Sequence, residues 1–440
     1  MKHYTLVIFG GTGDLTKRKL IPAIQAIADH DPETSFNVLG IGRKPLTDES
    51  YREFLQPDQT AHPRVSIHYM IADIETPGSL DGLMLKIGGV ETAPVAGRIY
   101  YLATSYSLFG KIAKSIHQDS RGDEPFFTRI IAEKPFGNDR ASFKKLNREL
   151  RTFFSEDQIY RADHYLAKGT IDNILRTRFS NPLFESVWNS RSIARITVAV
   201  NEALGVGNRI GYYDQSGAIK DMVQNHLLQT LSLVLMNSPA RPGETAFRKA
   251  KTVAIKKLYF RNEIRTGQYR GYQKEVNQIN PGSRTETFVD LSLYSKARRW
   301  KGTEIVLRTG KMLKKREAFI DIEFRKEPCT PFCSFDISPN RLTLHIQPLQ
   351  NVELAINTTL PGEKVALAPV KMTFCPTCEF TANTAEGYEV ILRECLRGDK
   401  RLFMCDKELD YAWRLSDTIR DSLKNEEPQI YEPGSEPGNV

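Results

Sequence analysis

The sequence predicts an α/β domain of the Rossmann type, built on a doubly wound parallel sheet, followed by an α+β domain with a large, mostly antiparallel sheet. Three observations carry this. In the first third, short apolar runs alternate with amphipathic helical stretches, which is the pattern of successive βαβ units. The first apolar run, Tyr4 to Phe9, opens onto Gly10, Gly11 and Gly13 and then a helical stretch. After Asp163 strand-like runs dominate, and many alternate apolar and polar residues, as Thr343, Leu344, His345, Ile346 and Gln347 do. That alternation suits an antiparallel sheet with one covered face.

At 440 residues the chain exceeds what one core usually supports, so two domains are expected, 1–162 and 163–440. A hydrophobic fraction of 40% and a charged fraction of 26% describe a soluble globular chain. The net charge of +8 is modest and its basic residues are dispersed. It reads as a solvated surface with some excess facing anionic ligands, and no nucleic-acid partner is expected. No run reaches the ~18 apolar residues of a membrane span, and MKHYTLVIFGG reads as a strand and not a signal peptide, so a cytoplasmic protein without membrane contact is expected. Six cysteines make no disulfide framework, and reduced thiols are expected. Cys329, Cys333, Cys375 and Cys378 include one CxxC, a zinc-ligand spacing, but the other pair is wider and distant; the favoured reading is no bound metal.

The elements follow in order. Tyr4 to Phe9 is a buried strand, and Asp14 to Asp29 a helix turning Leu15, Leu20, Ile24 and Ile27 inward. The glycines between them permit a tight turn and close backbone approach to a pyrophosphate at the helix N-terminus. The fingerprint is imperfect, because Thr16 stands where its third glycine would be. Phe36 to Ile41 is the next strand and ends in Gly42, Arg43 and Lys44. An acid selective for the NAD ribose is missing there and two cations suit a 2′-phosphate, so NADP is expected, with NAD as the alternative. Strands at Val65 to Ile71, Arg98 to Ala103 and Thr128 to Ala132 alternate with helices at Leu108 to His117 and Arg140 to Phe153. Glu133, Lys134 and Pro135 then fall at the strand end where such sheets bind ligands.

The domain boundary is expected near Tyr160 to Asp163. Beyond it, strands are expected at Ala194 to Ala203, Thr285 to Tyr294, Glu304 to Arg308, Phe319 to Arg325, Leu342 to Pro348 and Val352 to Thr358. Helices at Gly217 to Leu235, Ala385 to Arg397 and Lys407 to Leu423 would cover the sheet. The end, EEPQIYEPGSEPGNV, reads as a loose tail.

The chemistry concentrates in YRADHYLAKG, Tyr160 to Gly169. With a strand ending near Arg161, Asp163 and His164 would point to different sides. Asp163 near its normal pKa is a weak base at neutral pH, so a histidine is needed. His226, in GYYDQSGAIKDMVQNHLLQ, sits on a helically spaced stretch five residues after Asp221, and the two could line one cleft.

Those stretches, with GGTGDLTKRKL, AEKPFG, NPLFESVWN, TETFV, RTGKML and LRGDKRLF in the same order, resemble the glucose-6-phosphate dehydrogenase family. The resemblance implies oxidation of D-glucose 6-phosphate at C1 to 6-phospho-D-glucono-1,5-lactone with hydride transfer to NADP, the entry to the oxidative pentose phosphate pathway. It implies His226 as general base, with Asp163 orienting it. It assigns His164 and Lys168 to the sugar phosphate, Glu202 and Asp221 to sugar hydroxyls, and Lys311, Arg316 and Gln347 to further substrate contacts. Lys19 and Lys134 would lie at the substrate–cofactor junction. Gly10, Gly11, Thr12, Gly13, Asp14, Leu15, Arg43 and Lys134 would bind the cofactor. A homodimer or homotetramer is expected through the second domain's sheet. The sequence departs from the family at Ala167 and Gly169, which replace its usual glycine and acid around the lysine and put substrate affinity in question. Two rival readings are another Rossmann-type sugar or sugar-phosphate oxidoreductase, which leaves His164, Lys168 and His226 unexplained, and a catalytically silent NADP-binding regulator.

Overall fold

The computed structural model describes residues 2–55, 62–119, 126–163, 165–167, 169–326, 338–348, 350–359, 367–375 and 387–437. The chain forms two compact units, one of Met1–Ala167 with Ala385–Asp406 and one of Lys168–Thr384 with Lys407–Val440. The expected division at 162/163 falls before the end of the first stretch and does not anticipate the later return of the chain to the first unit.

Numbered along the chain, the first unit's strands are β1 (Lys2–Phe9), β2 (Thr34–Gly42), β3 (Val65–Ile71), β4 (Gly97–Leu102), β5 (Phe127–Ala132), β6 (Ile159–Ala162) and β15 (Phe403–Met404). They pair in the order β15-β6-β5-β4-β1-β2-β3, all parallel except the β15–β6 edge. Leu6, Val7, Ile8 and Phe9 are all buried, as expected of a parallel strand covered on both faces. The helix Ile21–His30 adds Ile21, Ile24 and Ile27 to the core. The helix Gly387–Arg397 adds Ile391, Leu392 and Cys395 to that same core. This corrects the expectation that it covers the second sheet. Periodicity identifies an apolar face but not the core that receives it.

The second unit's strands are β7 (Ile193–Asn201), β8 (Leu258–Tyr269), β9 (Phe288–Ser295), β10 (Glu304–Gly310), β11 (Glu317–Phe324), β12 (Arg341–Gln347), β13 (Val352–Thr359), β14 (Leu367–Phe374) and β16 (Gln429–Tyr431). They form one sheet in the order β14-β13-β12-β11-β7-β10-β9-β8-β16, antiparallel except for the β7–β10 and β8–β16 pairs. Three of these strands escape the sequence reading, β8, β14 and the tail strand β16. β8 is rich in charged and polar residues, and β14 contains Pro369, which is tolerated because β14 is an edge. The tail is not loose in its described part, which runs to Pro437. Tyr431 packs with Tyr269, Tyr272 and Phe288, and its hydroxyl donates to the Lys311 carbonyl at 2.6 Å. One buried aromatic thus anchors a segment whose composition reads as disordered.

In the first unit the helix Asp48–Leu55 lays Tyr51 across Gly40. A Cβ at position 40 would lie 2.2 Å from the Tyr51 hydroxyl and 2.5 Å from the ring carbon bearing it. That hydroxyl donates to the Gly11 carbonyl at 2.9 Å. Gly40→Ala is therefore expected to destabilise the protein by about 1–3 kcal/mol, the usual cost of overpacking, read as a lower denaturation midpoint. An unchanged midpoint would show that Tyr51 yields without cost.

Candidate active site

Because β1, β2, β4, β5 and β6 are parallel, their C-terminal ends share one edge of the first sheet. The strand order reverses between β1 and β4, and there the crevice of a doubly wound sheet opens. Gly10 turns the chain at φ 96°, where a Cβ would stand 2.5 Å from the Ala103 carbonyl oxygen. The Gly10 and Gly11 N–H groups donate to the Ile41 carbonyl at 3.0 and 2.7 Å, and Gly13 N–H donates to the Gly10 carbonyl at 2.9 Å. Thr16, in place of the missing third glycine, donates its hydroxyl to the Gly10 carbonyl at 3.0 Å. The departure from the fingerprint thus ties the helix to the turn.

Of the other residues expected at the cofactor, Thr12 packs beside Gly42, where a Cβ would be 3.1 Å from the threonine hydroxyl. Asp14 is exposed and pairs with Arg18 at 2.7 Å, while Leu15 packs against the core and contributes only backbone to the turn. Arg43 and Lys19 are exposed. Lys17, absent from the expected set, joins Lys44 over the Phe54 ring, their ammonium groups 5.3 and 4.3 Å from its centre.

Lys134 follows β5, and its neighbour Glu133 is buried and accepts the Tyr101 hydroxyl at 2.5 Å. Asp163, 1% exposed, follows β6. Its Oδ1 accepts Tyr165 N–H at 2.9 Å and its carbonyl accepts Leu166 N–H at 3.0 Å. Asp163 therefore sits in a tight turn beyond the strand. His164 and Lys168 lie outside the described residues.

In the second unit the parallel register pairs Asn201 of β7 with Gly310 of β10, so Glu202 and Lys311 leave the sheet side by side. Their side chains form an ion pair. β11 begins at the same edge, Glu317 opposite Asn201, and β12 ends there, Gln347 opposite Ala318. Gln347 and the exposed Arg316 thus flank the same edge. Lys311 also lies 5.6 Å over the ring of the buried Tyr213. Burial holds that phenol protonated, and the negative charges of Asp221, Glu286 and Glu202 add to the effect.

The helix carrying Asp221 and His226 is wound in an unexpected way. Residues Ile219–Leu227 form a π-helix, continued by an α-helix over Leu228–Leu235. In an α-helix five residues advance about 500°, leaving Asp221 and His226 about 140° apart. In a π-helix the hydrogen bond spans five residues, so a residue and its fifth successor lie on the same face, as residues four apart do in an α-helix. The π-winding brings Asp221 and His226 onto one face. Both are buried, 7% and 2% exposed, and the helix packs on β7 and β10. Glycine spacing and charge give no hint of it.

Among the described residues no group of three histidine, cysteine or acidic side chains could hold a metal ion, and no helix is long and apolar enough to cross a membrane. Cys375 is disulfide-bonded, against the expectation of reduced thiols, which rests on compartment and not on geometry. Cys329, Cys333 and Cys378 lie outside the described residues.

Residues 7–173 match the family model of the glucose-6-phosphate dehydrogenase NAD binding domain, and residues 175–439 match that of the C-terminal domain. A glucose-6-phosphate 1-dehydrogenase of Bacillus subtilis is 35% identical over 449 residues, covering 95% of this chain and 91% of the relative. One from Mycolicibacterium smegmatis is 33% identical, covering 98% and 93%. A solved glucose-6-phosphate dehydrogenase in complex with its substrate glucose-6-phosphate superposes with a TM-score of 0.90 at 29% identity, covering 100% of this chain and 96% of that one.

Glu133 gives the first unit a pH signature. Burial pushes its carboxyl up to about 7, with Asp163 adding to the rise and the Tyr101 hydroxyl and the Lys134 ammonium opposing it. Between the ordinary carboxylate range and pH about 7, the unfolded chain has released this proton while the folded one still holds it. The folded state then binds more protons, so stability falls as pH rises through that window and levels off above it. The drop attributable to Glu133 is on the order of 3 kcal/mol at most. Denaturation midpoints from pH 5 to 8 should show it, and Glu133→Gln should flatten it; an equal fall in the variant would assign it elsewhere.

Proposed function

The chain belongs to the glucose-6-phosphate dehydrogenase family, and on that premise we propose that it oxidises β-D-glucose 6-phosphate at C1 to 6-phospho-D-glucono-1,5-lactone. The observation that carries the reading is the edge formed by Glu202, Lys311 and Gln347 beside a helix bearing Asp221 and His226 on one face. It offers one acceptor or donor after another to a polyol, with an imidazole among them.

A nicotinamide dinucleotide, when bound, accepts the hydride from C1. The residues of the first unit fit such a group: Gly10, Gly11 and Gly13 leave no Cβ in the turn, and Thr12, Asp14 and Leu15 lead into the helix N-terminus. The hydride leaves the C1 alcohol readily only as its proton is taken, and His226 takes that proton. Asp163 holds the other imidazole nitrogen and stabilises the charged ring. His164 and Lys168 grip the phosphate dianion. Glu202 and Asp221 accept sugar hydroxyls, and Lys311, Arg316 and Gln347 complete the substrate contacts. Lys19 and Lys134 serve the junction of sugar and nicotinamide. All the family's catalytic positions are filled, which favours an enzyme over a silent regulator.

NADP is the cofactor in this reading. Arg43 carries it, supported by the Lys17 and Lys44 ammonium groups over Phe54, since a dianionic 2′-phosphate offsets the repulsion between such neighbouring cations. The reading includes a cytoplasmic homodimer or homotetramer formed through the second unit's sheet. One face of that sheet carries charges in cross-strand pairs such as Arg195–Glu304 and Arg308–Asp290.

NADPH formation followed by absorbance over a panel of sugar phosphates tests the reaction, and turnover of glucose 6-phosphate should exceed that of the others. Failure with every sugar phosphate would refute it. His226→Asn should lower kcat by about 10² or more with binding nearly intact, and Asp163→Asn should give a smaller loss of the same kind. His164→Ala should raise KM more than it lowers kcat. Arg43→Ala should weaken NADP selectively, and equal loss with NAD would count against the assignment.

A further inference from the structure

Gly217, at φ 63° and ψ 176°, breaks the helical run that starts at Ile210, and a second helix begins at once with Ala218 and Ile219. The first N–H groups of a helix lack partners within it and are commonly met by a capping side chain just upstream. Here a distant residue meets them. Glu286, two positions before β9, accepts Ile219 N–H on Oε1 at 2.9 Å, and its own main-chain carbonyl accepts Ala218 N–H at 3.0 Å. A Cβ at position 217 would stand 2.4 Å from that Oε1. The missing side chain and the remote carboxylate are thus two halves of one cap.

The cap also reaches the sheet edge. The carbonyl of the next residue, Thr287, accepts Lys311 N–H at 2.9 Å, and Lys311 pairs with Glu202. Residues 286 and 287 therefore tie the start of the π-helix to the strand end that bears the ion pair. Burial pushes the Glu286 carboxyl up, and the Ile219 N–H bond and the charges of Arg420 and Lys220 oppose that rise, as does the helix dipole for a carboxylate at a helix N-terminus.

We propose that Glu286 is a positioning residue for the reaction, fixing the axial placement of the π-helix so that Asp221 and His226 keep one register against the Glu202–Lys311 pair. It touches neither substrate nor cofactor and acts through the helix. The inference rests on the reading of His226 as the general base.

The test uses Glu286→Ala, Glu286→Gln, His226→Asn and the double variant His226→Asn/Glu286→Ala in the full-length enzyme. Glu286→Ala should lower kcat about tenfold or more, the size expected when one charge-assisted hydrogen bond that shapes a site is lost. It should also raise KM for glucose 6-phosphate, with the dissociation constant for NADP unchanged. Glu286→Gln keeps an acceptor oxygen for Ile219 N–H and should recover most of the activity. In the double variant the Glu286 change should add little to the His226 loss. Should Glu286→Ala fail to fold, Glu286→Asp replaces it, since its shortened arm withdraws the acceptor and should give the same loss. Near-wild-type kcat in the folded variant, or full additivity in the double one, would overturn the proposal. Undiminished kcat in His226→Asn would instead refute the base assignment, whatever the Glu286 variants show.

Discussion

The close approach of two backbones at Gly10 governs what the first unit can do. Gly10 and Gly11 both hydrogen-bond the Ile41 carbonyl, and a side chain at either position would collide with main-chain atoms of the neighbouring strand ends. Such collisions cannot be relieved by turning a side chain, since the obstructing atoms belong to a parallel sheet buried on both faces. The helix N-terminus is therefore set close to the edge where the strands end, which gives an anion unpartnered N–H groups at short range. The neighbouring contacts support this one. Thr16 ties the helix back to the turn, and Tyr51 holds the Gly11 carbonyl from the far side of Gly40.

The second unit solves a related problem with a glycine of another kind. At Gly217 the positive φ ends one helix and the vacant Cβ position admits Glu286, so the next helix starts without a local cap. Its π-winding then sets which residues share a face. An α-helix through the same sequence would turn His226 away from Asp221. The side-chain chemistry of this stretch is consequently subordinate to its backbone, and the backbone is held by TETFV, a segment distant in sequence.

This explains what could be read from the residues and what could not. The βαβ alternation, the glycine turn and the strand ends at Glu133 and Asp163 follow from local periodicity and turn chemistry, and they are legible without a structure. The Glu202–Lys311 pair is accessible only as two separate positions matched to a family, because nothing local indicates that β7 and β10 lie side by side and parallel. The helix Gly387–Arg397 is recognisable but not its core, since both cores accept the same kind of apolar stripe. π-Winding, the role of Glu286 and the Lys17–Lys44 pairing over Phe54 depend on contacts between remote elements. No pattern within a window of sequence encodes them.

Two ion pairs of the second unit, one buried and one half-buried, differ in what they leave accessible to a ligand. Lys251 and Glu408 are both fully buried, 3.7 Å apart, and removing either would leave a charge in a low-dielectric interior at a cost of several kcal/mol. Such a pair is fixed in place and unavailable to any ligand. Lys311 and Glu202 are 17% and 36% exposed. A pair of this exposure contributes on the order of 1 kcal/mol or less, so on the proposed assignment its partners exchange for sugar hydroxyls at little cost. The exchange is directional, because the backbone of Lys311 stays bonded to Thr287 and that of Glu202 to Gly310 while the side chains re-aim. A site that must hold a polyol in one orientation and then release its oxidised form benefits from this combination of a rigid main chain and a weakly held charge pair.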